Sequence, residues 1–344
     1  MRSRVGRGVY VALIVASAGC QVYDPSLVDA GIDAAGVDAG PCNSRQPPAR
    51  PAVADSPDGE EIIFGLRQVV LAQADGDAWR DIGLDLDERC TVAPAFDSEC
   101  HPRRRAQAPV DGNDGIDNTF GSDLYPLVDL AVGGLEATAR AAQEEGKAPV
   151  VRIRGWNGMD DDPRIDVTVT NAIYVVNDIG GAPAPHRVAS FEPVDMMSGA
   201  RLPFPVWDGT DFAYFREDTF FDGDPEQPLI RDDNAYVAGR RIVANLPARV
   251  EILFPADVVG VLVRLTDATA IGRISDDAQT LEDAVVSGRW GVLDLLSTAE
   301  NIGVCRDTAQ YDILVGQLDS IADIRSMPGT GGTDVICDAV SLGV

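Results

Sequence analysis

The stretch from Asp111 to Asp123 concentrates oxygen-bearing side chains between a cysteine pair and a predicted helix. Its donors are Asp111, Asn113, Asp114, Asp117, Asn118 and Asp123. Ca²⁺ takes six to eight oxygen ligands, and runs of Asp, Asn and Gly form turns that bring carboxylates and carbonyls close together. The stretch is not an EF-hand loop, because counting from Asp111 places Ile116 at position six and Ser122, rather than Glu, at position twelve.

We predict one Ca²⁺ site in this stretch, with help from the preceding segment. The predicted ligands are Asp85, Asp87, Asp111, Asp114, Asp117 and Asn118, of which Asp111, Asp117 and Asn118 are the strongest candidates. Crowded carboxylates repel one another unless a cation or a helix N-terminus neutralises them, and a helix N-terminus offers only about half a unit charge. The alternative is that Asx-turns and a helix cap account for these residues without a metal.

No residue is predicted to be catalytic. The chain has two histidines, His101 and His186, so a histidine base or a site of several histidines is hard to build. Nucleophile-elbow, zinc-protease, phosphate-loop and dinucleotide-binding patterns are absent from the sequence. These observations favour a non-enzymatic protein with a binding or structural role.

An alternative function rests on the segment 207–226, which mixes aromatic and acidic side chains. Sugars stack on aromatic faces, and paired carboxylates hydrolyse glycosidic bonds. The segment therefore also fits a glycan-binding or glycan-hydrolysing enzyme on a β-sandwich. Ordinary packing of the aromatic rings is the competing explanation. Further acidic groups at Asp160–Asp162 and at Asp222, Asp224 and Glu226 are weaker metal candidates.

The N-terminus predicts export and lipid attachment. Arg2, Arg4 and Arg7 precede a short apolar run and small residues that end at Cys20, as in a secretory signal. The ending resembles the bacterial lipobox, although Ser17 stands where leucine is usual. We therefore expect a signal peptide over 1–19, a diacylglyceryl group on Cys20 and a membrane partner. Gln21 after the cysteine favours the outer membrane of a bacterial cell envelope.

Composition then divides the rest of the chain. Residues 20–59 are rich in Asp, Ala, Gly and Pro and predict a flexible tether, whereas 60–344 predicts a single β-rich domain. The net charge of −27 repels phosphate backbones, so nucleic acid is excluded as a partner, while a glycan or an envelope protein is compatible.

Four further cysteines predict two disulfide bonds in an oxidising compartment. Cys90 and Cys100 are ten residues apart and are expected to pair, as are Cys305 and Cys337, which bracket a predicted helix. These pairings rest on proximity in sequence alone, and Cys42 is left over.

The elements predict a mainly β fold. Many short alternating segments and few helices favour a two-sheet β-sandwich, jelly-roll or concanavalin-like. A long helix near 124–145, weakened at Gly133 and Gly134, precedes the main run of strands, and short helices follow it. The predicted strands are 62–71, 79–86, 150–156, 165–176, 235–244, 249–254, 258–265, 268–274 and 335–342; the late helices are 290–302 and 309–324.

Together, several motifs resemble a family of myxobacterial-type cell-surface lipoproteins. They are the lipobox, the low-complexity tether, Gly-Leu-Asp-Leu-Asp at 83–87, Gly-Ile-Asp-Asn at 115–118 and Cys-Asp-Ala at 337–339. The resemblance implies a location at the cell surface and no established activity.

Overall fold

The computed structural model describes residues 43–344 apart from 54–58, 60, 70, 72–75, 94–95, 106, 133, 178–202, 216, 255–260 and 333. The fold is mainly β, with 32% of residues in strands against 23% in helices, as the alternating segments predicted. The described strands form one large antiparallel sheet that curls into a half-barrel. The predicted division into two sheets, whether jelly-roll or concanavalin-like, is not confirmed.

Ten strands make up this sheet. They are β1 (Ile62–Gly65), β2 (Pro149–Arg154), β3 (Asp162–Val176), β4 (Phe212–Phe215), β5 (Arg231–Ala238), β6 (Arg241–Asn245), β7 (Arg249–Phe254), β8 (Val261–Ile274), β9 (Leu281–Gly291) and β10 (Ala339–Gly343). The order across the sheet is β1-β2-β3-β5-β6-β8-β9-β10, with β4 paired to β3 and β7 paired to β8.

Strand β8 unites two segments that the sequence predicted as separate strands. Its first half pairs with β7 and its second half with β6, while β9 runs along its other side. The register with β9 shifts between Thr266 and Thr269, where Asp267 has a φ of 51°. This irregularity interrupts the alternation of side chains, although strand pairing continues on both sides of it.

In the described part of the chain, four α-helices and several shorter turns accompany the sheet. The α-helices are α1 (Tyr125–Val132), α2 (Leu135–Glu144), α3 (Val292–Asn301) and α4 (Ala309–Ile321). The predicted helix over 124–145 is interrupted, because Gly134 adopts a φ of 106° that few other residues tolerate. A π-helical turn over Phe120–Leu124 leads into α1. The strand predicted over 79–86 was wrong: a 3₁₀ turn at Ala78–Asp81 and an irregular loop replace it.

One continuous core runs along the sheet, from Phe64 of β1 and Ile153 of β2 to Trp290 of β9. The residues that join this core from the helical segments are Phe120 and Leu124 before α1, Leu295 on α3 and Leu318 on α4. Such burial contributes about 25 cal/mol per Å² of apolar surface, so this core is a main source of stability. Among the described residues, no helix has both the length and the apolar character needed to cross a membrane.

The compact body extends further toward the N-terminus than the predicted boundary at residue 60. Residues 43–53 belong to the same compact unit as the rest of the described chain. The Arg45 amide donates to the Asp114 carbonyl at 2.8 Å, and the Tyr236 hydroxyl donates to the Pro48 carbonyl at 2.5 Å. Residues 43–53, which fall within the predicted tether, are therefore held on the body, while the predicted signal peptide, Cys20 and Cys42 lie outside the described residues.

The predicted disulfide pairings were wrong. Cys100 bonds to Cys337, with a Cα–Cα distance of 5.1 Å and 237 residues between them, and Cys305 is free and exposed. Cys90 is also disulfide-bonded. Proximity in sequence failed because β10 brings the C-terminal segment beside the loop that contains Cys100: His101 bridges to Ile336 in parallel.

Candidate metal centre

Two loops build the site, one over residues 82–91 and the other over 111–119. The Asp117 amide donates to the Leu84 carbonyl at 3.0 Å, and the Asp111 amide donates to the Thr91 carbonyl at 3.0 Å. Carboxylates strengthen this pairing, since Asp117 Oδ2 accepts from the Leu86 amide at 2.7 Å and from the Asp87 amide at 3.2 Å. The two loops are thus fixed against each other, with their acidic side chains between them.

Three of these carboxylates form a compact group. Asp85, Asp87 and Asp117 each offer an oxygen, and the three atoms lie within 4.8 Å of one another. Asp85 and Asp117 are buried and Asp87 is half-buried. We call these three residues the aspartate triad. Oxygen donors alone, with no nitrogen or sulfur among the three, fit a hard cation such as Ca²⁺ or Mg²⁺.

Asp85 is the unusual member of the triad. It is 2% exposed, and neither carboxylate oxygen has a hydrogen-bond partner among the described residues. Burial raises the pKa of Asp85, and the nearby Ser44 hydroxyl and the Glu88 and Arg89 amides, none of them in hydrogen-bond geometry, lower it only in part. A buried carboxylate without partners is costly, so each isolated oxygen is a position where a cation would be stabilising.

Asp111 lies beside the aspartate triad and is buried with it. Its Oδ2 accepts from the Thr91 amide at 2.5 Å. Burial is the main cause that raises the pKa of Asp111 to about 9, and the charges of Asp87, Asp323 and Asp85 add to it. The structure therefore places Asp111 within electrostatic reach of the triad, although its closest contact is to the backbone.

The pKa values of the other two triad members, Asp87 and Asp117, are raised as well. Burial raises the pKa of Asp87 to about 6, with the charges of Glu99 and Asp85 contributing. Burial also raises the pKa of Asp117 well above its usual range, together with the charges of Asp111, Asp87 and Asp323. Without a cation, charging these groups together is unfavourable, so each keeps its proton to a higher pH than an exposed aspartate does.

An arginine at the centre of the fold supports one of the site loops. Arg289 of β9 is 1% exposed and donates to Glu99 Oε1 at 2.6 Å. It also donates to the carbonyl of Leu86, the residue between Asp85 and Asp87 in the sequence. The Glu99 amide in turn donates to Asp87 Oδ2 at 3.2 Å. This buried pair holds the loop in position, while its opposite charges largely cancel.

Asn118 and Asp323 have a different role, because they accept hydrogen bonds from backbone amides along the edge of β10. Asn118 Oδ1 accepts from the Gly343 amide at 3.1 Å and from the Gly121 amide at 3.0 Å. Asp323 accepts from the Ser341 amide at 2.9 Å and from the Thr119 hydroxyl at 2.8 Å. These side chains satisfy edge amides that would otherwise be unpaired. The Asn118 oxygen is thus committed to the backbone rather than to the aspartate triad.

Asp114, the other predicted ligand outside the triad, is exposed and turns away in a 3₁₀ turn with a φ of 55°. The structure therefore brings together Asp85, Asp87 and Asp117, places Asp111 beside them, and leaves out Asp114 and Asn118. Sequence reasoning missed Glu99, Arg289 and Asp323. Arg289 and Asp323 reach the site from distant parts of the chain. Glu99 lies only twelve residues from Asp87, but its spacing matches no metal-ligand pattern.

The segment 207–226 uses its acidic groups in local structure. Asp211 accepts from the Val206 and Trp207 amides, and Asp208 accepts from the Thr210 hydroxyl at 2.6 Å. Glu226 forms an ion pair with Arg154. Asp162 likewise accepts from the Asn157 amide at 2.8 Å. These carboxylates are partnered in turns and ion pairs, in contrast to Asp85.

Comparison with protein-family models, with curated proteins and with solved structures finds no match for this chain.

Proposed function

We propose that this protein is a non-enzymatic, lipid-anchored protein of the bacterial cell envelope whose body is stabilised by one Ca²⁺ ion. The ion is held by Asp85, Asp87 and Asp117, with Asp111 beside them. The observation that carries the proposal is Asp85, whose two buried oxygens have no hydrogen-bond partner among the described residues.

The electrostatics of the aspartate triad support a divalent ion. Three carboxylate oxygens within 4.8 Å of one another repel strongly where surrounding water is scarce. Two positive charges offset that repulsion, and Ca²⁺ completes its shell with backbone carbonyls or water in flexible geometry. Ca²⁺ is preferred over Mg²⁺ because Mg²⁺ demands near-ideal octahedral geometry and retains its waters.

The expected location of the protein outside the cytoplasm agrees with the choice of Ca²⁺. The signal-like N-terminus and the lipobox-like ending at Cys20 predict export. Extracellular calcium modules bind with dissociation constants of about 10⁻⁴ to 10⁻³ M, so a modest site is sufficient outside the cell. The proposed role is that of an envelope component whose fold is completed after export.

The direct test is thermal unfolding of the chain from Gln21 onward in EDTA and in millimolar Ca²⁺, with calorimetric titration. A ligand that binds only the native state contributes about 2.7 kcal/mol at a hundredfold excess over its dissociation constant. We expect a higher melting temperature in Ca²⁺ and a measurable heat of binding. Equal melting temperatures without a binding heat would leave the Asx-turn explanation of the acidic stretch in place.

A further inference from the structure

An apolar cavity of about 180 Å³ lies between the four α-helices and the β8–β10 end of the sheet. Its wall is almost entirely hydrocarbon. The hydroxyl of Thr298, one of its few polar atoms, donates to the Leu262 carbonyl at 2.7 Å. The cavity is separate from the aspartate triad, none of whose residues lines it.

The cavity has a buried base and a rim at the protein surface. Leu318 of α4 and Leu342 of β10 line it and are at most 1% exposed. Ile302, just after α3, lines it as well and is 40% exposed. The cavity therefore extends from the buried interior toward a partly exposed residue at the protein surface.

We propose that this cavity is a binding site for one small, uncharged aromatic hydrocarbon of about the size of benzene or toluene. An engineered protein cavity of about 150 Å³ with a similar lining stays dry and binds benzene, so about 180 Å³ is sufficient for such a molecule. Water is a poor occupant because it needs two to four polar partners. A charged ligand is disfavoured because no charged side chain is among the described residues that line the cavity.

Two aromatic side chains make a ring a better occupant than a saturated chain. Phe120 and Trp290 both line the cavity, and their ring centroids are 6.2 Å apart at an interplanar angle of 39°. Aromatic rings prefer tilted or edge-on neighbours, and such pairs add to the stabilisation from burial alone. A bound ring would extend this pair into a cluster.

The experiment uses toluene as the probe and the chain from Gln21 onward, in Ca²⁺ throughout. Saturation-transfer NMR detects toluene binding, and tryptophan emission reports on the site, with Trp290→Phe identifying the local signal. Ala299→Leu places three more carbons in the wall on α3 and should abolish toluene binding. Leu293→Ala, at a position of the same helix that is 83% exposed, is the matched control and should leave binding unchanged.

A second variant keeps the test decisive if Ala299→Leu does not fold. Ile302→Trp narrows the rim at an exposed position and should weaken toluene binding while the melting temperature stays near that of the parent protein. Saturable binding by the parent protein that both variants reduce supports the site. Absence of binding at the solubility limit of toluene, or equal binding by the parent protein and both variants, would overturn it.

Discussion

The two buried oxygens of Asp85 have opposite effects on stability with and without a cation. In EDTA the carboxylate is buried among like charges and lacks partners, so replacing it should remove a repulsion. In Ca²⁺ the same carboxylate is a ligand, so replacing it removes a source of affinity. Substitution of Asp85 therefore distinguishes a metal site from a cluster of acids that only form turns.

We predict that Asp85→Asn unfolds at the same or a higher temperature than the parent protein in EDTA, and gains little or nothing from Ca²⁺. Asn keeps a polar group at this buried position and removes only the charge, so the gain in EDTA is limited to the relieved repulsion. Asp114→Asn is the matched control, since Asp114 is exposed outside the triad and its variant should respond to Ca²⁺ fully. A normal Ca²⁺ response in Asp85→Asn would remove Asp85 from the ligand set.

The buried acids also predict how stability depends on pH. The folded pKa values of Asp87, about 6, and Asp111, about 9, lie above the unfolded value of about 3.9. The folded state therefore holds protons that the unfolded state has released, so this stabilisation is complete below pH 4 and is lost as pH rises toward 9.

We therefore expect the melting temperature in EDTA to fall between pH 5 and pH 9. The increment produced by Ca²⁺ should grow over the same range, because the ligands must lose protons to bind the ion. Melting curves at several pH values in both conditions measure the two slopes. Parallel pH dependence with and without Ca²⁺ would mean that the titrating acids and the ion are unrelated.

At the scale of elements, local patterns predicted most strands and missed the contacts that join distant ones. The alternation in β3 and the apolar run of β2 identified both strands because each signal lies within its own segment. The aspartate triad could be predicted from the sequence for the same reason, since its members come from two short acidic segments. Arg289 and Asp323 were missed because only the assembled sheet brings β9 and β10 beside those segments.

The disulfides illustrate the same limit. Pairing by proximity chose Cys90 with Cys100, whereas the fold pairs Cys100 with Cys337 across 237 residues. The physical determinant is the position of β10, whose approach to the loop at Cys100 is invisible in the spacing of cysteines. This bond closes residues 100–337, most of the described body, into one loop.

We predict that Cys337→Ser lowers the free energy of unfolding by about 2–4 kcal/mol, the usual effect of losing a native disulfide. Cys305→Ser, at an exposed free cysteine, should change it by no more than about 0.5 kcal/mol. Urea unfolding of both variants in Ca²⁺ measures the difference. Equal losses in the two variants, or a loss confined to Cys305→Ser, would contradict the pairing.

At the scale of the whole molecule, the body and the N-terminal region have different compositions and different predicted tasks. The body buries a core under its helices and holds residues 43–53 against its surface. The preceding residues comprise a signal-like segment, whose short apolar run leads to the lipobox-like ending at Cys20, and residues 21–42, which contain few large apolar side chains. A body of this kind needs no apolar surface of its own to stay at a membrane if acyl chains supply the attachment.

The last prediction concerns that attachment. In a bacterium with lipoprotein processing, the full chain should partition into detergent and begin at an acylated Cys20. Each buried methylene contributes about 0.8 kcal/mol, so two or three acyl chains on one residue anchor firmly. Cys20→Ala should leave the protein in the aqueous phase or stop its processing, whereas Cys305→Ser is the matched cysteine control and should partition like the parent protein. Phase separation and mass spectrometry of the N-terminus measure both effects, and an unmodified N-terminus at Gln21 or further along the chain would exclude the lipid anchor.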